Sequence, residues 1–196
     1  MVIGASAGGV QAIRRLLKGL PAGLPASVAI VLHRHPFAAS MLTDVLGRHS
    51  MLPVSEPRHG EALRSGRVYV APRDHHMVVD DGRLLLSRGA KEHYTRPAVD
   101  PLFRSAAQSH GPRVIGVVLS GFGDDGVSGL IAIKAAGGLS VVQQPFEAVH
   151  DSMPQSAIKR DHVDAILTMD ELAARLPGLV QGESFELESG AVTRLA

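Results

Sequence analysis

Three kinds of side chain able to take part in hydrolysis stand directly behind three separate apolar runs. Ser6 lies in Gly4-Ala5-Ser6-Ala7-Gly8 after Val2-Ile3, His33 follows Ala29-Ile30-Val31-Leu32, and Asp124 with Asp125 follows the run from Gly116 to Gly123. A serine hydroxyl becomes a nucleophile when an imidazole takes its proton, a carboxylate orients that imidazole, and N–H donors meet the developing oxyanion. The spacing G-x-S-x-G suits a tight strand-to-helix turn whose small neighbours let the hydroxyl project. Taken alone, a serine among glycines is more simply read as a helix cap. Its placement together with a histidine and an aspartate at the ends of other strands turns the reading toward acyl transfer. Backbone amides around Ala7, at the start of the first helix, would then serve the oxyanion. The spacing does not choose between Asp124 and Asp125.

Other chemistries fit the same residues less well. A dinucleotide fingerprint wants glycines at its first, third and sixth positions; counting from Gly4, the third is Ser6, and the next strand ends in His33 rather than an acidic residue. The α/β-hydrolase arrangement needs an oxyanion loop upstream of the serine and the order Ser, Asp, His. Here only five residues precede Ser6 and the order is Ser, His, Asp. Metal assistance would draw on His33 with His35, on Asp74 with His75 and His76, or on Asp124 with Asp125, but none has a tight ligand spacing such as H-E-x-x-H. No metal and no cofactor are therefore expected. His35 is an alternative base two residues beyond His33, with Pro36 directly behind it. Met77, Phe103 and Met153 read as core or groove wall.

Positioning these groups requires a sheet. Short Val- and Ile-rich runs alternate with helical patterns, which predicts an α/β chain: three layers, with a doubly wound, mostly parallel sheet. Val10, Ile13, Leu17 and Leu20 recur at helical spacing after the opening turn, and Gly19 with Pro21 ends that helix. Strands are expected over 27–33, 113–120, 139–144 and 163–167, with 113–120 the most interior because no charge interrupts it. The runs 66–72 and 76–88 read as strands of a small antiparallel excursion at the sheet margin, turning at Asp81-Gly82. Helices are expected around Met41–Leu46, from Asp100-Pro101 with Asp100 as the cap, through Leu130–Ile133, after Pro154, and after Thr168, which with Glu171 forms a capping box.

Composition narrows the partners. Lys plus Arg number 20 and Asp plus Glu 19 in 196 residues, so the formal charge of +1 provides no field to gather nucleic acid or anionic membrane. The absence of cysteine excludes disulfides, thiolate metal sites and a cysteine nucleophile, and fits a reducing compartment. No apolar run approaches the length that spans a bilayer, and the expectation is a cytoplasmic chain with no membrane insertion. One unit of about 180 residues accommodates the pattern, 1–180, leaving 181–196 as an unassigned tail.

Six segments, in order, resemble the catalytic domain of the bacterial chemotaxis receptor methylesterases, the CheB family of protein-glutamate methylesterases and glutamine deamidases. They are IGASAGG, VLHRHPF, GRVYVAPRDHHM, TRPAVDPLF, LSGFGDDGVSGL and SMPQSAI. The resemblance runs from about Val2 to Leu176 and implies a catalytic Ser6, His33 and Asp125, which is where Asp125 is preferred over Asp124. It implies the helices of methyl-accepting chemoreceptors as substrate, and Ala7, Phe122, Arg96 and Met153 as residues lining the site. Two of these depart from the family's habit: Ala7 stands where threonine is common, and Phe122 where methionine is. A catalytically idle receptor-binding relative and a metal-assisted hydrolase are the rival expectations. Arg96 is expected either to pair with a structural carboxylate such as Asp100 or to meet an acidic receptor surface. The family usually carries a phosphorylatable receiver ahead of this domain, whereas this chain starts within its first strand. The expectation is a chain cut short at that end or one served by a separate phosphorylatable regulator.

Overall fold

The structure, a computed structural model, describes residues 1–34, 41–161 and 163–183. His35 and the tail beyond 183 lie outside the described residues. In chain order the elements are β1 (Val2–Ala5), α1 (Gly9–Gly19), β2 (Ser27–Leu32), α2 (Leu42–Gly47), β3 (Val54–Ser55), β4 (Glu61–Ala62), β5 (Arg67–Val70), β6 (His76–Asp80) and β7 (Arg83–Ser87). After these come α3 (Val99–His110), β8 (Ile115–Val118), α4 (Val127–Ala135), β9 (Leu139–Gln143), α5 (Ser152–Arg160), β10 (Ala165–Leu167) and α6 (Met169–Leu179).

Seven strands form one sheet in the order β10-β9-β8-β1-β2-β5-β3, and every pairing in it is parallel. Parallel strands covered on both faces are apolar at every position, which is why β1 and β8 are buried throughout. Alternation along β2 divides the core. Val28, Ile30 and Leu32 pack with α1, α2 and α6, while Ala29 and Val31 pack with α3, α4 and α5. The chain begins at the middle strand, winds outward through β2, then returns to β8 on the other side of β1. That reversal opens a crevice at the carboxyl ends of β1, β2 and β8, where ligands of such sheets bind. β8 is interior, as its sequence implies, but the centre is β1.

The antiparallel excursion differs from the expectation in two respects. β5 lies within the main sheet, parallel to β2, and the hairpin β6–β7 pairs with the two-residue strand β4 in a second sheet. Asp81 and Gly82 at its turn both have positive φ, 43° and 69°, as a type I′ turn requires. The outer edge of β6 is covered by α3: Ser105 Oγ accepts the Val79 N–H (3.0 Å) and Ser109 Oγ donates to the Val79 carbonyl (2.9 Å). α5 begins at Ser152, so Pro154 falls inside its first turn instead of ahead of it.

Candidate active site

Backbone bonds at the ends of β1, β2 and β8 bring Ser6 and His33 toward each other. The His33 N–H donates to the Ala5 carbonyl (3.0 Å), one step beyond the β1–β2 ladder, and the Ser6 N–H donates to the Ser120 carbonyl (2.9 Å), past the end of β8. Ser120 fastens the turn a second time. Its hydroxyl lies 2.8 Å from the Ala7 carbonyl and accepts the His150 N–H at 3.0 Å. Gly8 holds φ at 77°, and a Cβ there would stand 2.6 Å from Ser120 Oγ, so the turn needs a glycine at that point.

Ser6 Oγ lies 3.2 Å from His33 Nδ1, and His33 Nε2 lies 2.7 Å from Asp125 Oδ2. An ionised carboxylate only accepts, so Nε2 carries the proton and Nδ1 presents a lone pair to the serine hydroxyl. That is the tautomer a general base needs. Asp125 is 2% exposed. Burial opposes its charge, but the His33 ring and the amides of Val99 (2.7 Å) and Asp100 (2.9 Å) more than compensate, and the carboxyl titrates below the ordinary range.

Those two amides open α3, so Asp125 caps that helix from 25 residues away in sequence. Asp100, expected to cap its own helix, instead sits in the first turn and turns its carboxylate toward α4. Oδ1 accepts the amides of Gly126 (3.1 Å) and Gly129 (2.7 Å) at the start of α4. The two helices thus exchange carboxylates across their N-termini. Asp100 is 1% exposed, and burial together with the charge of Asp125 raises its titration above the usual value. His93, which the sequence did not single out, closes the arrangement with Nε2 2.9 Å from Asp100 Oδ2 and Nδ1 3.3 Å from Asp124 Oδ1. A lone loop histidine carries no sequence pattern by which to find it.

The remaining expected site residues divide. Ala7 lies in the turn that carries Ser6. Phe122 follows Gly121, where a Cβ would lie 2.7 Å from Ser6 Cβ, and its ring is 60% exposed and 4.1 Å from that of His150. Met153 is fully buried behind Gly121, and with Met77 and Phe103 it belongs to the core. Arg96 pairs with Asp74, not Asp100: Nε and Nη2 reach Asp74 Oδ1 at 2.9 and 2.6 Å, and Nη1 donates to the Gly89 carbonyl at 2.7 Å. This commits its donors to Asp74, between β5 and β6, and to carbonyls of the loop ahead of α3.

Among the described residues, the candidate metal residues are engaged in hydrogen bonds of their own. His75 Nδ1 meets the Arg73 carbonyl at 2.8 Å; His76 Nε2 donates to the Ala90 carbonyl at 2.9 Å, and its Nδ1 accepts the Ala98 N–H at 3.3 Å. Asp124 pairs with Arg160 at 2.5 Å. His93, Asp100 and Asp125 bring ligand-type atoms within 4.8 Å of one another, but backbone amides and imidazoles fill both carboxylates, the pattern of a hydrogen-bond network and not of a ligand set.

Comparison with known proteins gives the family of the chain. The profile of the CheB methylesterase family matches residues 1–176. The chain is 40% identical over 181 residues to protein-glutamate methylesterase/protein-glutamine glutaminase 2 of Anaeromyxobacter dehalogenans, covering 92% of this chain and 53% of that protein. It is 36% identical over 174 residues to a putative protein-glutamate methylesterase/protein-glutamine glutaminase of Leptospira interrogans, covering 88% of this chain and 90% of the relative. The chain thus spans about half the length of several curated relatives, such as those of Anaeromyxobacter dehalogenans and Methanosarcina mazei. In three dimensions it matches the crystal structure of the Thermotoga maritima CheB methylesterase catalytic domain with a TM-score of 0.86 at 32% identity, over 91% of this chain and 96% of that one. With the family profile over most of the chain and the sequence and fold similarities in agreement, the chain belongs to the CheB methylesterase family.

Proposed function

We propose that this chain is a serine hydrolase that removes methyl esters from glutamate side chains of chemoreceptors, with residues 1–180 as the catalytic unit. The observation that carries the reading is the unbroken chain of hydrogen bonds from Ser6 through His33 to Asp125 at the carboxyl ends of β1, β2 and the β8 turn. Ser6 Oγ attacks the γ-carbonyl of the methylated side chain while His33 Nδ1 takes its proton. The tetrahedral oxyanion collapses to an acyl-enzyme as the bond to the methoxy oxygen breaks and His33 gives that oxygen the proton, releasing methanol. Water, deprotonated by the same ring, then releases glutamate. Asp125 holds the ring and stabilises the imidazolium. The same attack on a glutamine amide expels ammonia, so deamidation needs no additional group.

Within the turn, the Ser6 N–H is spent on Ser120 and the Gly9 N–H on the Ser6 carbonyl, which leaves the amides of Ala7 and Gly8 as donors to the oxyanion. The rim favours a side chain presented on a macromolecule. Phe122, Phe146 and Val149 are all more than half exposed, and Val149 lies against Gly8 of the nucleophile turn. Among the described residues no helix is long and apolar enough to cross a membrane, and we place the activity in the cytoplasm with the receptor helices it would act on.

The test is methanol release from methylated receptor fragments, together with labelling by a fluorophosphonate probe. Ser6→Ala should lose both, with a rate deficit of about 10⁴-fold or more and an unchanged melting profile. Methanol release retained by Ser6→Ala would remove the serine from the mechanism; a wild-type protein that neither labels nor releases methanol would be the idle relative instead.

A further inference from the structure

The chain of polar groups behind Ser6 continues past Asp125. His93, on the loop between β7 and α3, places Nε2 2.9 Å from Asp100 Oδ2 and 3.7 Å from Asp125 Oδ1, and Nδ1 3.3 Å from Asp124 Oδ1. Both ring nitrogens therefore face carboxylates, which only accept when ionised, and only an imidazolium donates from both. The backbone is arranged for this contact: His93 and Tyr94 hold φ at 48° and 60°, a conformation that non-glycine residues seldom adopt. Each neighbouring charge has its own partner. Arg104 is bidentate to Glu92 (2.9 and 2.8 Å) and only 3.9 Å from Asp100; Arg160 pairs with Asp124; His33 pairs with Asp125.

Two carboxylates, Asp100 and Asp125, are thus buried next to one another, and among the described residues the cation at hydrogen-bond distance on the Asp100 side is His93. Resting on the hydrolase reading above, we propose that His93 is a positioning residue for the reaction. Held as an imidazolium among Asp100, Asp124 and Asp125, it offsets the negative potential of the carboxylate pair at the His33 ring and frees that ring to act as base at lower pH. Partial burial disfavours a charged His93, yet the bond to Asp100 and the charges of Asp125, Asp100 and Asp124 outweigh it, and the ring titrates above the ordinary histidine value.

The experiment is the pH dependence of fluorophosphonate labelling and methanol release in wild type, His93→Asn and His93→Lys. Asparagine tolerates the left-handed backbone while discarding the cation. In His93→Asn the acid limb should move to higher pH by about half a unit or more, whatever the height of its plateau, as expected for loss of one charge several ångströms away. His93→Lys, which restores a cation, should move the limb back. A lowered plateau with an unmoved limb would mean a merely structural role and overturn the inference, as would a lysine variant that behaves like asparagine. Should neither variant fold, NMR titration of the wild-type ring decides: His93 must be doubly protonated at the midpoint of the acid limb, and a neutral ring there overturns the proposal. Failure of the hydrolase reading looks different, with no Ser6-dependent labelling in wild type at any pH, and the inference falls with it.

Discussion

At the scale of single residues, the site depends on which atoms donate and which accept. Asp125 receives three hydrogen bonds, from His33 Nε2, Val99 N and Asp100 N, and the amide group of an asparagine cannot accept on both of its heads. In Asp125→Asn, either the N–H₂ takes the Oδ1 place and faces the Asp100 amide, or it takes the Oδ2 place, faces the Val99 amide and His33 together, and drives the ring into the opposite tautomer. Either outcome takes the lone pair or the alignment from Ser6, and we expect turnover to fall by roughly 10⁴-fold. Losing one amide partner should also cost about 1 kcal/mol of stability, measurable in urea melts. Gly121 is constrained by size alone. A Cβ there would stand 2.2 Å from Met153 Sδ and 2.7 Å from Ser6 Cβ. Gly121→Ala should displace the serine turn, reducing probe labelling at least tenfold while the far face of the sheet stays native; wild-type labelling would show that Met153 yields instead.

The elements explain both what the sequence disclosed and what it withheld. Strand ends were legible because β1, β2 and β8 are interior parallel strands whose apolar runs stop abruptly at the polar crevice, so Ser6, His33 and the Asp124-Asp125 pair stand out against them. The capping box of α6 was legible because Thr168 and Glu171 lie three residues apart and bond each other's backbone (3.3 and 2.8 Å). The cap of α3 was not, because its acceptor, Asp125, is brought from the next strand turn, and local propensity alone assigns the role to Asp100. β3 and β4, two residues each, are too short to show any period, and they exist because a neighbouring strand offers them partners. This contrast gives a paired prediction. Thr168→Ala, on the face of the sheet that α1 and α6 cover, should cost about 1 kcal/mol and leave labelling per folded molecule unchanged. Gly129→Ala would place a Cβ 2.3 Å from Phe103 Cβ where α4 packs on α3, and should cost about 1–3 kcal/mol. Because α3 carries the amides that hold Asp125, this second variant should also lose activity. Equal activities in the two variants would break the link drawn between helix packing and the base.

For the molecule as a whole, a sheet whose first strand is its middle one makes the switch point and the site one place, and it brings the two shifted buried carboxylates, Asp100 and Asp125, together there. The chain is close to neutral at pH 7, and in acid the loss of particular carboxylate interactions adds to the positive charge that protonation builds up. Asp125 is held below the ordinary carboxylate value once the cost of burial is outweighed by His33 and the α3 amides; Asp74 is held down by its bond to Arg96, and Glu171 by the Thr168 amide and hydroxyl. A carboxylate lowered on folding stabilises fully above its unfolded value, near ~3.9–4.3, and that contribution disappears as the pH falls through the folded value. Asp100 works in the opposite sense. Raised by burial and by the charge of Asp125, it costs stability as it ionises in the interval above the unfolded value. In the acid range the three lowered groups should prevail, so chemical-denaturation midpoints are expected to decline steeply below about pH 4; the raised His93 adds a separate loss as the pH rises through its folded value. Asp125→Asn removes the buried member of that set, and its acid decline should be shallower than that of the wild type even though its stability at neutral pH is lower. Parallel declines in the two proteins would mean that Asp125 gains nothing on folding beyond what it has in the open chain, and that its bonds to His33 and α3 are too weak to orient a base.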